Sequence, residues 1–366
     1  MSDKKTLLLV GGGHAHVEVL RRLAEKPFPD TDVALLDPSP SVWYSGMVPG
    51  VLAGHYPAND AKVNLWALCQ KARVRFIEAA VTQVDPALQR VYTSVGDRHF
   101  YDVASFDIGS VSFPLPTTPG SYVVPVRPVD VLFAAINERD AIRSSGLNIQ
   151  IVGGGAAALE VALALAYRWR GTPEKRIGIV SATDLLPGFP ASARRTALAA
   201  CKSLRVQVSE QSPVRAVEPT RLVLETGDFV PSQLTILATG YAPAPLLAEI
   251  EISKTDDGSI SVNSGLQSRS HKNIFAAGDC ASNPKVDIPK AGVFAVRQGP
   301  VLYENLRRAV RGGELSTYEH KPDALSLISL GDKRAIAARN GFALSGGWAW
   351  RWKHKIDREW IARYIG

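Results

Sequence analysis

Short apolar runs that end in glycine punctuate this chain. Thr6-Leu7-Leu8-Leu9-Val10 runs into Gly11-Gly12-Gly13, and Leu147-Asn148-Ile149-Gln150-Ile151-Val152 into Gly153-Gly154-Gly155. Each turn precedes a segment with helical periodicity. After the first, Val19, Leu20, Leu23 and Ala24 recur as one face of a helix over about 14–26. After the second, Ala156 to Ala166 is apolar around the whole helix and predicts a buried helix over 156–169. Each helix leads to another apolar run, 33–37 and 176–180. Further strands are predicted at 74–77, around 106–110, at 206–209, 234–240 and 274–279. Hairpins are expected over 84–101, 214–231 and 325–344, and helices over 129–143 and 291–311. Strand, glycine turn, helix and strand in that order predict two Rossmann-like α/β units.

Pro114 to Pro128 is proline-rich and reads as a crossover between the units. The expected division is 1–113 with 236–312 as the first unit and 114–235 as the second. Residues 313–366 form a small α+β segment with a Trp-rich basic helix.

The first turn places Gly11 and Gly13 where backbone N–H groups of the turn and of the following residues, His14 and Ala15, approach a pyrophosphate at a helix N-terminus. The third fingerprint position, normally Gly or Ala, is His16, which reads as a locally altered turn. Asp37 ends the next strand at about the spacing of a ribose-binding carboxylate. The second turn, Gly153-x-Gly155-x-x-Ala158, keeps the small third residue and is continued by Ala156 and Ala157. No acid stands at the tip of its second strand, which ends in Ser181. Asp184 lies just beyond it, and Arg194 and Arg195 lie further along, so NADH and NADPH both stay open. Glu160 interrupts the apolar helix. It is either an acid favoured by the helix dipole or a carboxylate with a purpose.

Two such turns in one chain point to two dinucleotides held at once and to electron transfer between them. Ala238-Thr239-Gly240 and Ala276-Ala277-Gly278-Asp279 complete an ordered set of four motifs. With them the chain resembles the two-dinucleotide-binding-domain flavoproteins of the pyridine nucleotide-disulfide oxidoreductase superfamily. Within that superfamily it is similar to type II NADH dehydrogenases. It looks most like the flavoprotein module fused to selenide, water dikinase, through Gly11 to His16, Tyr44 to Gly50, Asp107 to Ser110 and Ala295 to Pro300.

The resemblance implies FAD on the first turn and NADH or NADPH on the second. Asp279 would meet the ribityl and pyrophosphate region of the flavin. Trp43 to Gly50, with Tyr44, Ser45 and Gly46, would line the flavin together with Val81 and Ser110. Gly278, Lys290, Ala291 and Gly292 would lie at its other side, with the helix N-terminus at Gly292 near the pyrimidine carbonyl. Gly240 would border the nicotinamide. Glu160 matches a Glu found where nicotinamide meets flavin in type II NADH dehydrogenases and is the candidate catalytic residue. Arg297 stands where those enzymes usually carry a Gln at the quinone pocket. The implied reaction is hydride transfer from NAD(P)H to FAD and on to a small acceptor, with a quinone as the leading candidate. The alternatives are another oxidant (oxygen, a sulfur or selenium species) or a nicotinamide-sensing flavoprotein with little turnover.

Composition narrows this further. The chain has 366 residues, 46% of them hydrophobic and 21% charged, as expected of a globular protein. No apolar run is long enough for a spanning helix, and the N-terminus does not read as a signal peptide. With Cys69, Cys201 and Cys280 as the cysteines, a disulfide scaffold, a zinc site and the paired cysteines of disulfide or sulfide:quinone reductases are not expected. A net charge of +7 is too diffuse for a nucleic-acid partner. Trp348, Trp352, Ile356, Trp360 and Tyr364 form a stripe at helical spacing, set among Arg351, Lys353, Lys355, Arg358 and Arg363. Such a helix suits peripheral contact with a membrane interface or a homodimer. The expected location is cytoplasmic, including the cytoplasmic face of the membrane.

Overall fold

The structure, a computed structural model, describes residues 4–141, 146–322 and 324–364. Two five-stranded sheets, both parallel throughout, form its centre. The first has the order Ile274–Ala276, Val103–Phe106, Lys5–Val10, Thr31–Asp37, Arg75–Glu78. The second has the order Val123–Pro125, Leu234–Leu237, Leu147–Val152, Lys175–Val180, Gln207–Ser209. Leu7, Leu8, Leu9 and Val10 are all buried. A run apolar on both faces is what a parallel sheet covered on both sides requires. Helix His14–Glu25 buries Val17, Val19, Leu20 and Leu23 on the first sheet and packs against helix Gly292–Arg311. Helix Ala156–Arg168 covers the second.

The register is the same in both units. Val10 pairs with Leu36 and Val152 with Val180, so Asp37 and Ser181 each stand one residue past the tip pairing. The two chain crossings pair with each other, Ser110–Ser112 antiparallel to Tyr241–Pro243.

Several expectations need correction. The boundary expected at 235/236 cuts strand Leu234–Leu237, which pairs on both sides within the second sheet, so the return crossing lies after it. The three expected hairpins are three-stranded meanders: Val81–Asp85, Arg90–Thr93, Arg98–Phe100; Val214–Glu218, Arg221–Leu224, Phe229–Pro231; and Ser326–Ser329, Ala335–Arg339, Phe342–Gly346. In the last, Asn340-Gly341 takes left-handed φ at both positions and makes a second tight turn. The helix expected over 129–143 is described as Val129–Ala141, and residues 142–143 lie outside the described residues. So do residues 1–3 of the first unit and 365–366 of the tail. Among the described residues no helix is long and apolar enough to cross a membrane.

Helix Gly347–Ala362 splits the expected stripe. Trp348, Trp352 and Ile356 are exposed, whereas Trp360 and Tyr364 are buried on the first unit. Tyr364 donates its hydroxyl to Glu18 Oε2 at 3.0 Å.

Candidate functional site

The first glycine turn rests on a buried acid. Asp107, which follows strand Val103–Phe106, accepts from Ala15 N at 2.7 Å and His16 N at 3.0 Å. It thereby caps helix His14–Glu25, whose N-cap residue is a glycine without a side chain to do so. Burial pushes the Asp107 carboxyl up to about 7 against the pull of those N–H bonds. A Cβ on Gly13 would lie 2.2 Å from the Asp107 carboxyl carbon, and one on Gly11 would lie 2.6 Å from its carbonyl oxygen. The glycines are therefore needed for contact with this strand end. His16 has a clear role. Its Nδ1 donates to Gly11 O at 2.6 Å, leaving Nε2 to accept from Ser105 Oγ at 2.8 Å. Burial lowers it to about 4, so it is a neutral peg that locks the turn onto the sheet.

Above the turn lies a cavity of about 490 Å³, within the usual range of small-molecule sites. Gly11, Gly13, His14, Asp37, Ser45, Val81, Ser110, Gly278, Asp279 and Gly292 line it, as expected. Asp37 Oδ2 accepts from Gly12 N at 2.6 Å and Oδ1 from Ser39 N at 2.8 Å. Asp279 Oδ2 receives Ser110 Oγ at 3.0 Å and Arg127 Nη1 at 2.6 Å. His14 lowers to about 4 through burial, and its buried Nε2 has no hydrogen-bond partner. An uncharged ring nitrogen left open beside the helix end at Gly292 suits a polar heterocycle. Together with the glycine cradle and Arg127 for a pyrophosphate, the residues fit FAD.

Other expected residues stand elsewhere. Ala15 is buried under the turn by its bond to Asp107, and Ala291 caps the 292–311 helix without lining the cavity. Lys290 points away. Its Nζ donates to Ala281 O and Ser282 Oγ, both at 2.7 Å, and to Ser259 Oγ at 3.1 Å, beside Asp257. Its neighbour Gly292 drew it into the expected set, but the extended backbone at Ala291 turns it aside.

Tyr44 and Gly46 form the back of the wall. Tyr44 stacks on Trp360 at a centroid distance of 4.0 Å, and His14 meets the same indole at 5.4 Å. Lys353 donates to Gly46 O and to Asp357 Oδ2, the latter at 2.7 Å. The tail thus holds the loop that lines the cavity. Glu160 approaches this region from the second unit. Its Oε1 accepts from Ser329 N at 2.8 Å. Burial pushes its carboxyl up to about 7, against the nearby Lys353 ammonium. Glu160, Lys353 and Asp357 thus form one electrostatic group behind the loop.

At the second turn, Gly155 is the N-cap of its helix, and a Cβ there would meet nothing within 4 Å. Ala157 and Gly240 are exposed, and Ala156 is partly so. Gly153 presses on the Ala238 carbonyl, where a Cβ would come within 2.2 Å.

Sequence reasoning missed Arg127 and the buried pair Lys353 and Asp357. It also missed Gln298, whose Oε1 accepts from Gly278 N at 2.7 Å. Arg297 donates instead to Lys321 O. The thiols Cys69, Cys201 and Cys280 are free and buried, and burial pushes Cys280 up to about 12. Among the described residues no group of side chains is placed to hold a metal ion.

Two parallel dinucleotide folds in one chain, with a cavity at the first glycine turn, are the architecture of a flavin- and nicotinamide-dependent oxidoreductase. The chain belongs to the pyridine nucleotide-disulphide oxidoreductase family, whose model matches residues 5–299. It is 25% identical to the demethylphylloquinone reductase NdbB of Synechocystis, over 82% of this chain and 80% of that protein. It is 22% identical to the type II NADH:quinone oxidoreductase of Staphylococcus aureus, over 100% of this chain and 97% of that protein. Among solved structures, the sulfide:quinone oxidoreductase of Aquifex aeolicus superposes with a TM-score of 0.82 at 18% identity, covering 98% of this chain and 91% of that one. NDH2 of Plasmodium falciparum in complex with NADH gives 0.80 at 15% identity, covering 99% and 100%. The chain is a FAD-dependent oxidoreductase with NAD(P)H as its co-substrate.

Proposed function

We propose that this protein is an NAD(P)H:quinone oxidoreductase in which Glu160 manages the proton. The observation that carries the reading is the group formed by Glu160, Lys353 and Asp357 directly behind the flavin-lining loop. The quinone follows from the quinone-reducing relatives and from buried thiols that offer no disulfide chemistry. FAD held in this cavity would supply the two-electron relay between the nicotinamide and the acceptor.

The residues supply the rest. Ser110, Arg127 and Asp279, bonded to one another, would hold the middle of the cofactor, and the helix N-terminus at Gly292 would favour negative charge near it. With Oε1 accepting from Ser329, Glu160 carries its proton on Oε2 and is half-protonated near neutrality. That is the poise of a group that delivers a proton to a reduced acceptor and takes another from water. Lys353 steadies the charged form, and Asp357 keeps Lys353 in place.

The same reading places the protein at a membrane surface, where quinones reside. Trp348, Trp352 and Ile356 are exposed on the last helix, near the exposed Phe342 and Leu344. Arg351 and Lys355 accompany them.

The deciding experiment is anaerobic mixing of the flavin-loaded protein with NADH or NADPH, followed by addition of a short-chain quinone. Flavin absorbance should bleach and then return. A flavin that bleaches but is reoxidised by oxygen and not by quinone would replace the quinone with another oxidant. Flotation on phosphatidylglycerol vesicles tests the surface. Changing Trp348 and Trp352 to Glu should abolish it without lowering the Tm, and undiminished flotation would remove the membrane reading.

A further inference from the structure

We propose that the second site selects NADH over NADPH because the carboxylates of Glu210 and Asp184 outnumber the Arg194 guanidinium where a 2′-phosphate would lie. This rests on the reading that the Gly153–Gly155 turn binds a nicotinamide dinucleotide.

The two units are in the same register, so Ser181 stands where Asp37 stands in the first. Both press on the middle glycine of their turn. Asp37 Oδ2 is 3.1 Å from the position of a Cβ on Gly12, and Ser181 Oγ is 2.3 Å from that on Gly154. An acid at this place reads the adenosine ribose. Ser181 brings no charge, is buried, and spends its Oγ on Thr183 N at 3.2 Å. Recognition therefore passes to the next groups out.

The loop from 181 to 190 folds back over the turn, with Leu186 N donating to Gly154 O at 2.7 Å. Its one ionisable side chain is Asp184, whose backbone oxygen lies 3.1 Å from the Gly154 Cβ position. Glu210 follows the neighbouring strand Gln207–Ser209. Its Oε1 accepts from Leu185 N and its Oε2 from Arg194 Nη2, both at 2.6 Å. Arg194 is also 3.8 Å from Asp184 Oδ1. Two carboxylates therefore face one guanidinium. A 2′-phosphate carries roughly −1.5 to −2 charge and is disfavoured by a cluster of two carboxylates and one guanidinium, which is net negative. Here it meets a cation already paired, with an excess negative charge beside it. A ribose 2′-hydroxyl instead has an acceptor in Asp184, whose Oδ1 takes Gln211 Nε2 at 2.9 Å and whose side chain is 58% exposed.

The test uses the flavin-loaded protein and reads binding apart from turnover. Calorimetry with NAD⁺ and NADP⁺, which do not reduce the flavin, should give a dissociation constant about tenfold or more lower for NAD⁺. Glu210→Gln keeps an acceptor for Leu185 N while freeing Arg194, and should bring the two constants to within about threefold. Adding Arg194→Gln to that variant should weaken NADP⁺ again. Equal binding of the two nucleotides by the unaltered protein, or an unchanged ratio in Glu210→Gln, overturns the inference. If NAD⁺ binds preferentially but NADH leaves the flavin oxidised, the selectivity stands and the proposed reaction falls.

Discussion

Adding one methyl group to each glycine turn separates their roles. Gly13 and Gly155 both have extended N-cap backbone that alanine adopts without strain, so the outcome depends on space alone. A Cβ at Gly13 would sit 2.2, 2.3 and 2.4 Å from the Asp107 carboxyl atoms. The carboxylate must retreat by about 1 Å to reach ordinary contact. That breaks its bonds to Ala15 N and His16 N. At about 1.5–3 kcal/mol for each charge-assisted bond, partly recovered by relaxation, Gly13→Ala should cost about 3–5 kcal/mol. The Tm should fall by about 5–10 °C. Flavin should be lost on gel filtration, read as the ratio of absorbance near 450 nm to that at 280 nm, because the turn that cradles it has moved. Gly155→Ala meets nothing within 4 Å. It should leave Tm and flavin content unchanged and raise the KM for the nicotinamide. A Gly13→Ala protein that keeps its Tm and its full flavin complement would refute the assigned role of Asp107.

The remaining predictions concern the tail and the ring edge. Glu160→Gln preserves the bond from Ser329 but not the titration. Quinone-dependent turnover, which needs the protonated acid, should fall as pH rises through about 7 in the parent, and should be about tenfold slower and flat in the variant. A sloping profile in the variant would dismiss Glu160. Lys353→Met leaves Asp357 buried and unpaired and should cost about 3–5 kcal/mol in thermal or urea unfolding. Lys353→Met with Asp357→Leu should regain most of that, and no recovery would mean that the loss comes from Gly46 O and Glu160 rather than from the unpaired Asp357. His14→Phe removes the open Nε2 and should weaken FAD binding to the apoprotein about tenfold by fluorescence titration, while unchanged affinity would move the flavin ring elsewhere.

Much of the first site could be read from the chain because its determinants are local. Strand, glycine turn, helix and Asp37 follow one another, and the register of the first sheet carries them to one point. Asp279 and Ser110 were also legible, through the Gly-Asp motif and the strand end before it. Arg127 was not, since its partner Asp279 is distant in sequence and nothing near it marks a site. Lys290 was misplaced for the opposite reason: adjacency suggested a direction that the backbone does not take. His16 looked like a defect in a pattern and is a neutral hydrogen-bonded peg. Lys353 stands in sequence among the other basic residues of a Trp-striped helix, and no motif marks Asp357. The packing of Trp360 on Tyr44, with Arg358 paired to Asp60 and His354 bonded to Tyr56, brings that helix against Gly46. The meanders were read as hairpins because a turn inside a short polar stretch resembles one longer loop.

The strand orders also carry a temporal consequence. Every strand of the second sheet lies between Val123 and Ser209 or at Leu234–Leu237, in one continuous stretch of chain. The first sheet takes its edge from Ile274–Ala276, and the wall of its cavity waits for Lys353 and Trp360. During synthesis the later-encoded unit can therefore close first, while the earlier one sits with an open edge. Cofactor capture then waits until residues 353–360 are made and packed, which makes bound flavin a reporter of chains that have closed this wall.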